Sequence, residues 1–325
     1  MAAPRIRVIL AYFGRLPETF PLWLLSASRC LDIEWLLVTD DAQPLDYPDN
    51  VTVARMPWGD LCDRVRSRIQ IGRPVKLDGG WDLCALKPAY GEIFSDMLAG
   101  CDWWGYCDPD VIFGDIGSFL TPAVLGGHDK ILWLGHLALC RNTPEMTGGF
   151  RLPTAAGAVL YREAFSGGVL CFDEVAYNDM LETAGKRIWK ELVFADFKHR
   201  SFLFRDHEHP ALRGSARGRQ VFTWEEGTLL RHYLDDADGG LRREPLMYAH
   251  FCRRPMRIDL PPGPLPTRFA MVPNRFVPHP GEVTPEWIRA HTADRIHWDY
   301  WLPRLQPGRL VRKIRNMLGP PSNSI

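Results

Sequence analysis

Asp102-Trp103-Trp104-Gly105-Tyr106-Cys107-Asp108-Pro109-Asp110-Val111-Ile112-Phe113-Gly114-Asp115-Ile116 is the stretch on which the reading of this chain turns. Its aromatic, apolar first half has strand composition and runs into two carboxylates. Pro109 keeps Asp108 out of helical geometry and closes the strand. Trp103 and Trp104, adjacent in that strand, must face opposite sides, so at least one belongs to the core. Two hard oxygen donors on one extended segment suit Mn²⁺ or Mg²⁺, which take one or two carboxylates and fill their other positions with water and substrate phosphates. The chemistry expected there is metal-assisted handling of a diphosphate.

Spacing alone proves little, because about one D-x-D pair is expected by chance in a chain of this length. Asp236-Ala237-Asp238 serves as an internal control. It lies in a polar, glycine-ended turn with no strand leading in, and there solvated carboxylates are a sufficient reading.

On the N-terminal side, Arg5 to Phe13 reads as a buried strand ended by Gly14, and Phe20 to Cys30 as a helix with an apolar stripe. Ile33 to Thr39 gives a second strand, ending at Asp40-Asp41, and Asn50 to Met56 a third, edge-like one. Leu83 to Ala99 shows apolar residues at helical spacing and predicts one helix ended by Gly100. Strands alternating with helices predict an α/β fold with a mixed, mostly parallel sheet and helices on both faces. Ligands of such sheets sit outside the carboxyl ends of the strands, where Tyr12, Asp40 and Asp41 fall. Tyr12 is placed to stack on a base, and the two acids to accept from a base or ribose.

Beyond the acidic pair, short strands are expected at Ile131 to Leu134, Ala156 to Tyr161 and Leu203-Phe204. Val221 to Tyr233 reads as a hairpin turning at Glu226-Gly227. The run Pro261-Pro262-Gly263-Pro264-Leu265-Pro266 breaks regular structure, and Thr284-Pro285-Glu286 starts a capped helix. The expected division is 1–120, 121–260 as a second half of the same domain, and 261–325 as a C-terminal helical extension.

With these residues in view the chain resembles nucleotide-sugar-dependent glycosyltransferases of the GT-A (Rossmann-like) fold. Leu86-Lys87-Pro88 ahead of the strand and Val111 to Ile116 after it look like the helix-strand-DxD block of glycogenin-like transferases. Tyr248-Ala249-His250-Phe251-Cys252-Arg253-Arg254-Pro255-Met256 looks like their later H-F-x-x-x-K-P segment, with Arg253-Arg254 where a Lys is expected. Together with Phe172-Asp173-Glu174, the layout is closest to an uncharacterised bacterial group linked to surface polysaccharide synthesis.

The resemblance implies Asp108, Asp110 and His250 as metal ligands, and Lys87, Arg253 or Arg254 on diphosphate oxygens. It implies a nucleoside-diphosphate sugar donor, a UDP-sugar first, and a glycan or lipid-linked saccharide acceptor. Inverting transfer would need a carboxylate to deprotonate the acceptor hydroxyl, and Asp173 or Glu174 is placed for it. A helix cap is the competing reading of that acidic pair.

Composition narrows the alternatives. With 39 Lys+Arg against 39 Asp+Glu there is no cationic excess for sequence-independent nucleic-acid binding. An apolar fraction of 46% excludes a disordered chain. No G-x-x-x-x-G-K-[ST] loop is present, which removes one large class of phosphotransferases. A phosphotransferase or nucleotidyltransferase on the same sheet, and a non-catalytic carbohydrate-binding protein of transferase shape, remain as alternatives. The eight cysteines form no CxxC pair and no Cys/His cluster at zinc spacing, so they read as buried thiols of a reducing compartment. Asp206-His207-Glu208-His209 reads as a surface loop. With neither a signal-peptide core nor a membrane-length apolar run, the expected location is cytoplasmic. Residues 309–318 resemble a basic amphipathic helix, which would give peripheral contact with the inner membrane face.

Overall fold

The computed structural model describes residues 3–169, 171–207, 217–293, 296 and 298–302. Two units form. The first comprises Met1–Ala195, Glu226–Leu229 and Pro245–His250, and the second Asp196–Glu225, Leu230–Glu244 and Phe251–Ile325.

In chain order the first strands are β1 (Ile6–Ala11), β2 (Ile33–Thr39), β3 (Val51–Arg55), β4 (Trp103–Cys107) and β5 (Val111–Phe113). There follow β6 (Lys130–Ile131), β7 (Leu137–Arg141), β8 (Ile188–Trp189) and β9 (Phe194–Asp196). The main sheet has the order β3-β2-β1-β4-β7-β6-β8. Pairing is parallel from β3 through β4 and antiparallel on both sides of β7. This is the mixed, mostly parallel sheet expected from the alternation of strands and helices. Because β1 is followed in sequence by the strand on one side of it and paired to β4 on the other, the sheet reverses its winding between β1 and β4, which is where such sheets bind ligands.

Helices cover both faces. Val8, Leu10, Trp35, Leu37, Trp103 and Leu139 pack with Phe20, Trp23 and Ala27 of helix α1 (Phe20–Ser28). Ile9, Leu36, Val38, Trp104, Tyr106 and Cys140 face the other way, toward Leu61 and Val65 of α2 (Trp58–Arg68). The two tryptophans of β4 thus fill two different cores, as the period of a strand requires.

Leu83 to Ala99 is not one helix. It forms α3 (Leu83–Leu86), a 3-10 turn (Lys87–Ala89), α4 (Tyr90–Ile93) and a further 3-10 turn (Ser95–Leu98). The cause is Pro88, which has no N–H to donate and whose ring crowds the preceding turn. The apolar positions still reach the core, so the spacing holds while the continuity does not. Gly91 lets this segment lie against β4, since a Cβ there would stand 2.6 Å from the Trp104 ring.

A small sheet of order β5-β13-β9 includes β13 (Tyr248–His250), which follows β10 (Arg217–Glu225), β11 (Thr228–Asp235) and β12 (Leu241–Pro245). The last strands are β14 (Arg257–Ile258), β15 (Arg268–Val272) and β16 (Arg275–Pro278), giving a six-stranded sheet of order β12-β11-β10-β15-β16-β14. Its turn falls at Glu226-Gly227, as the sequence predicts, and the two residues have φ 50° and 95°, the paired left-handed conformation of a type I′ hairpin.

Three local expectations are corrected. Residues 156–161 are a turn around Gly157 (φ 79°) running into the helix Tyr161–Ala164, not a strand. Leu203-Phe204 forms no strand; Phe204 is buried between Phe197 and Phe222. The region beyond 261 is not purely helical, because the short apolar runs within 268–278 pair as β15 and β16, although Thr284 caps the helix Pro285–His291 as expected. Among the described residues no helix is long and apolar enough to cross a membrane. Residues 309–318 lie outside the described residues.

Gly91→Ala tests the packing. Alanine is favoured over glycine in a helix by about 1 kcal/mol. Overpacking against the Trp104 ring should outweigh this and leave the protein about 1–3 kcal/mol less stable, read from the urea midpoint at unchanged m.

Candidate active site

β4 is buried along its whole length and delivers Asp108 at its carboxyl end. Two backbone contacts hold that residue: its N–H donates to the His136 carbonyl (3.1 Å), and its carbonyl accepts from the Trp23 indole N–H (3.2 Å). After Pro109 and Asp110 the chain re-enters as β5. This strand pairs antiparallel with β13 so that Val111 stands opposite His250. The register brings His250 to the residue after Asp110, with Nε2 3.4 Å from an Asp110 carboxylate oxygen. One ligand atom from each of Asp108, Asp110 and His250 lies within 4.8 Å of the others.

Ions of the Mg²⁺ type bind at about 2.1 Å, so ligands opposite one another stand about 4.2 Å apart. The trio therefore fits a divalent cation after a small side-chain adjustment, and its donors, two carboxylates and an imidazole, are those that Mn²⁺ accepts. His250 is buried and its ring stacks on His136, with centroids 4.2 Å apart and planes 23° from parallel.

Lys87 sits in the 3-10 turn beside Pro88, fully enclosed. Its ammonium donates to Asp108 (2.7 Å) and to the Gly135 carbonyl (2.8 Å) and stands 3.9 Å from Asp173. Burial by itself would lower the Lys87 pKa, but the charges of Asp108 and Asp173 more than reverse this and hold it well above the ordinary value. The ammonium expected at a diphosphate oxygen is instead spent on ordering carboxylates.

Asp173 and Glu174 lie in a π-helical turn (Phe172–Ala176) entered through Cys171 at φ 53°. Such turns recur at functional sites. Here the turn carries on into the helix Tyr177–Thr183 and aims both acids at Gly135, whose N–H donates to Glu174 (3.0 Å). A Cβ on Gly135 would stand 2.2 Å from an Asp173 carboxylate oxygen, so any larger residue there would displace that carboxylate. Burial raises the Asp173 pKa to about 6, against the pull of Lys87 and with the help of Glu174 and Asp108.

Tyr12 follows β1 at the sheet's switch point and is half-buried. Burial, then the charges of Asp110 and Asp41, push its hydroxyl pKa up, which keeps it protonated and able to donate. The acids after β2 clasp the loop that follows β1. Asp40 accepts from the Gly14 N–H (2.7 Å), and Asp41 from the N–H groups of Leu16 (2.6 Å) and Gln43 (2.9 Å). The Leu16 N–H is the main reason the Asp41 carboxyl titrates below its ordinary range.

Arg253 and Arg254 belong to the second unit. Arg254 is buried, and its guanidinium donates to the carbonyls of Lys198 (2.9 Å), Ser201 (2.8 Å) and Phe202, donors that a diphosphate would otherwise need. Cys252 and Arg253 both have left-handed backbones, at φ 43° and 61°. In non-glycine residues this costs about 1–3 kcal/mol each and persists only where surrounding contacts impose it. The control pair behaves as a turn: Asp238 accepts from the Gly240 N–H (2.7 Å) and pairs with Arg242 (2.6 Å).

Residues 8–280 match the family of unknown function DUF6625. The chain belongs to that family. No curated protein matches it. Among solved structures it is similar to an active-site mutant of LgtC, at 10% identity and TM-score 0.37, over 76% of this chain and 87% of that one. The galactosyltransferase LgtC in complex with donor and acceptor sugar analogues is similar at 11% identity and TM-score 0.36, over 90% and 99% of the two chains. Mouse xyloside xylosyltransferase 1 in its apo form follows at 8% identity and TM-score 0.35, over 60% and 88%. Likenesses this distant decide neither fold nor activity.

Two participants in the site go unmarked in the sequence. Gly135 and His136 precede β7, and only the pairing of Cys107 with Leu137 carries them to the DxD strand. A glycine and a histidine before an apolar run carry no signal in one sequence.

The Asp173 titration gives a sign that can be checked. Its folded pKa of about 6 exceeds the ordinary 3.8, so the stability it contributes is full below about pH 4 and is lost as pH rises through 6. Asp173→Asn removes this loss. Wild-type stability relative to the variant should therefore fall by about 2–3 kcal/mol between pH 4 and 7, measured by urea unfolding across that range.

Proposed function

We propose that this protein is a metal-dependent glycosyltransferase. It moves a sugar from a nucleoside-diphosphate donor, a UDP-sugar first, to a glycan or lipid-linked acceptor, and the motif resemblance points to bacterial polysaccharide assembly. The observation that carries the reading is the convergence of Asp108, Asp110 and His250 within 4.8 Å at the end of β4, beside the switch point of the sheet. A bound divalent cation would supply Lewis-acid neutralisation of the charge that grows on a departing diphosphate.

The chain's own residues do the rest. Lys87 is a positioning residue: its ammonium bonds Asp108 and aims it, and its second bond, to Gly135, fixes the loop that Glu174 also grips. Asp173, with a pKa of about 6, is ionised at neutral pH yet more basic than an ordinary carboxylate, the property wanted in a group that takes a proton from an acceptor hydroxyl. Tyr12 offers a ring face and a protonated hydroxyl at the same strand-end level.

Purified protein incubated with UDP-sugars, Mn²⁺ and candidate acceptors should release nucleoside diphosphate. Asp110→Asn should lower that rate about a hundredfold or more with unchanged circular dichroism, since losing several kcal/mol of metal assistance costs a factor of ten per about 1.4 kcal/mol. UDP with Mn²⁺ at about 100 times its dissociation constant should stabilise the wild type by about 2.7 kcal/mol, and not the variant. Released pyrophosphate or a phosphorylated sugar would move the protein to phosphoryl transfer. Activity indifferent to Asp110→Asn would end the metal assignment.

A further inference from the structure

We propose that His199, His207 and Cys252, all in the second unit, form a zinc-class cation site with a donor set unlike that of the carboxylate centre. One ligand atom from each lies within 4.8 Å of the others, and all three residues are half-buried. Cys252 Sγ stands 3.8 Å from His199 Nδ1. A tetrahedral ion bound at about 2.3 Å to sulfur and about 2.0 Å to nitrogen separates two such ligands by about 3.6 Å. The sulfur and imidazole are therefore already near the edge length of a zinc tetrahedron.

The site is built by two segments held together without any ion. Residues 197–206 close on themselves through the Phe197–Asp206 bridge and the Lys198 N–H to Arg205 carbonyl bond (2.8 Å), so one closed loop carries both His199 and His207. His207 is fixed by its own N–H, bonded to the Asp196 carbonyl (2.9 Å). The second segment is the corner at 251–254. Arg254 anchors it to the carbonyls of Lys198 and Ser201, and the left-handed turn at Cys252 and Arg253 carries the thiol to His199. Strained non-glycine backbone of this kind is retained where a side chain has to be aimed.

Donor chemistry selects the ion. One thiolate and two imidazoles favour Zn²⁺ or Co²⁺, whereas two carboxylates and one imidazole also accept Mn²⁺ or Mg²⁺, so the thiolate is the donor that marks this site spectroscopically. Three protein ligands leave a fourth position for water or an exogenous donor. His207, read from sequence as part of a surface loop, has its partners only because the fold brings Cys252 to it.

The test uses the full chain with Zn²⁺ and Co²⁺ as probes. Asp110→Asn dialysed against metal-free buffer after Zn²⁺ loading should keep about one equivalent of zinc by elemental analysis, held outside the carboxylate centre. Co²⁺ should give tetrahedral visible bands and a thiolate charge-transfer band. Cys252→Ser should lose the charge-transfer band, and His207→Ala should weaken Co²⁺ binding by about tenfold or more. Asp110→Asn, in the carboxylate centre, should keep the band. Circular dichroism confirms that each variant is folded, and His207→Ala decides if Cys252→Ser is not. A folded wild type without a thiolate band, a band that survives Cys252→Ser, or one lost in Asp110→Asn overturns the assignment.

Discussion

The buried ammonium of Lys87 is the interaction on which the candidate site rests. A charge enclosed in protein costs several kcal/mol unless opposite charge and hydrogen bonds meet it, and here Asp108, Asp173 and the Gly135 carbonyl do so. One side chain thereby ties together the broken helix after Leu83, the end of β4 and the π-helical turn at Phe172. Without it, Asp108 and Asp173 would face each other as uncompensated acids. Pro88 is the local reason it stands where it does, because a continuous helix would have no 3-10 turn at that point.

The second constraint is strand register. His250 arrives beside Asp110 because β13 pairs antiparallel with β5, and a slip of one residue would turn the imidazole to the opposite face. Stacking against His136, whose own carbonyl holds the Asp108 N–H, links the imidazole to the DxD segment. Sheet geometry thus collects ligands that lie far apart in the chain. The same logic assembles His199, His207 and Cys252 in the other unit, where a buried guanidinium rather than a strand pair supplies the tie.

Much of this is legible in the residues. Apolar runs of strand length mark β1, β2 and β4, and the neighbouring tryptophans of β4 must face opposite sides of the sheet. The Glu226-Gly227 pair marks the position of its own turn. Other readings fail for identifiable reasons. Apolar spacing from Leu83 to Ala99 reports which side is buried, but it is blind to a proline that breaks the hydrogen-bond ladder. The apolar run 156–161 contains a glycine at φ 79°, where the chain turns instead of extending. Asp40 and Asp41 do stand at a strand end, yet their oxygens hold the loop after β1, a use that depends on where Gly14 and Leu16 come to lie. Lys87 and Arg254 are likewise visible as cations, and only their surroundings show what they bond.

What the sequence alone determined is therefore the strands of the N-terminal half and the carboxylates at the end of a buried strand, because hydrophobic period and proline chemistry act locally. Tertiary structure alone decided which distant groups meet: His250 with Asp110, Lys87 with Asp173, Cys252 with His199. Those meetings depend on pairing register, on burial and on the compensation of buried charge, and these are properties of the packed chain that no short window of residues contains.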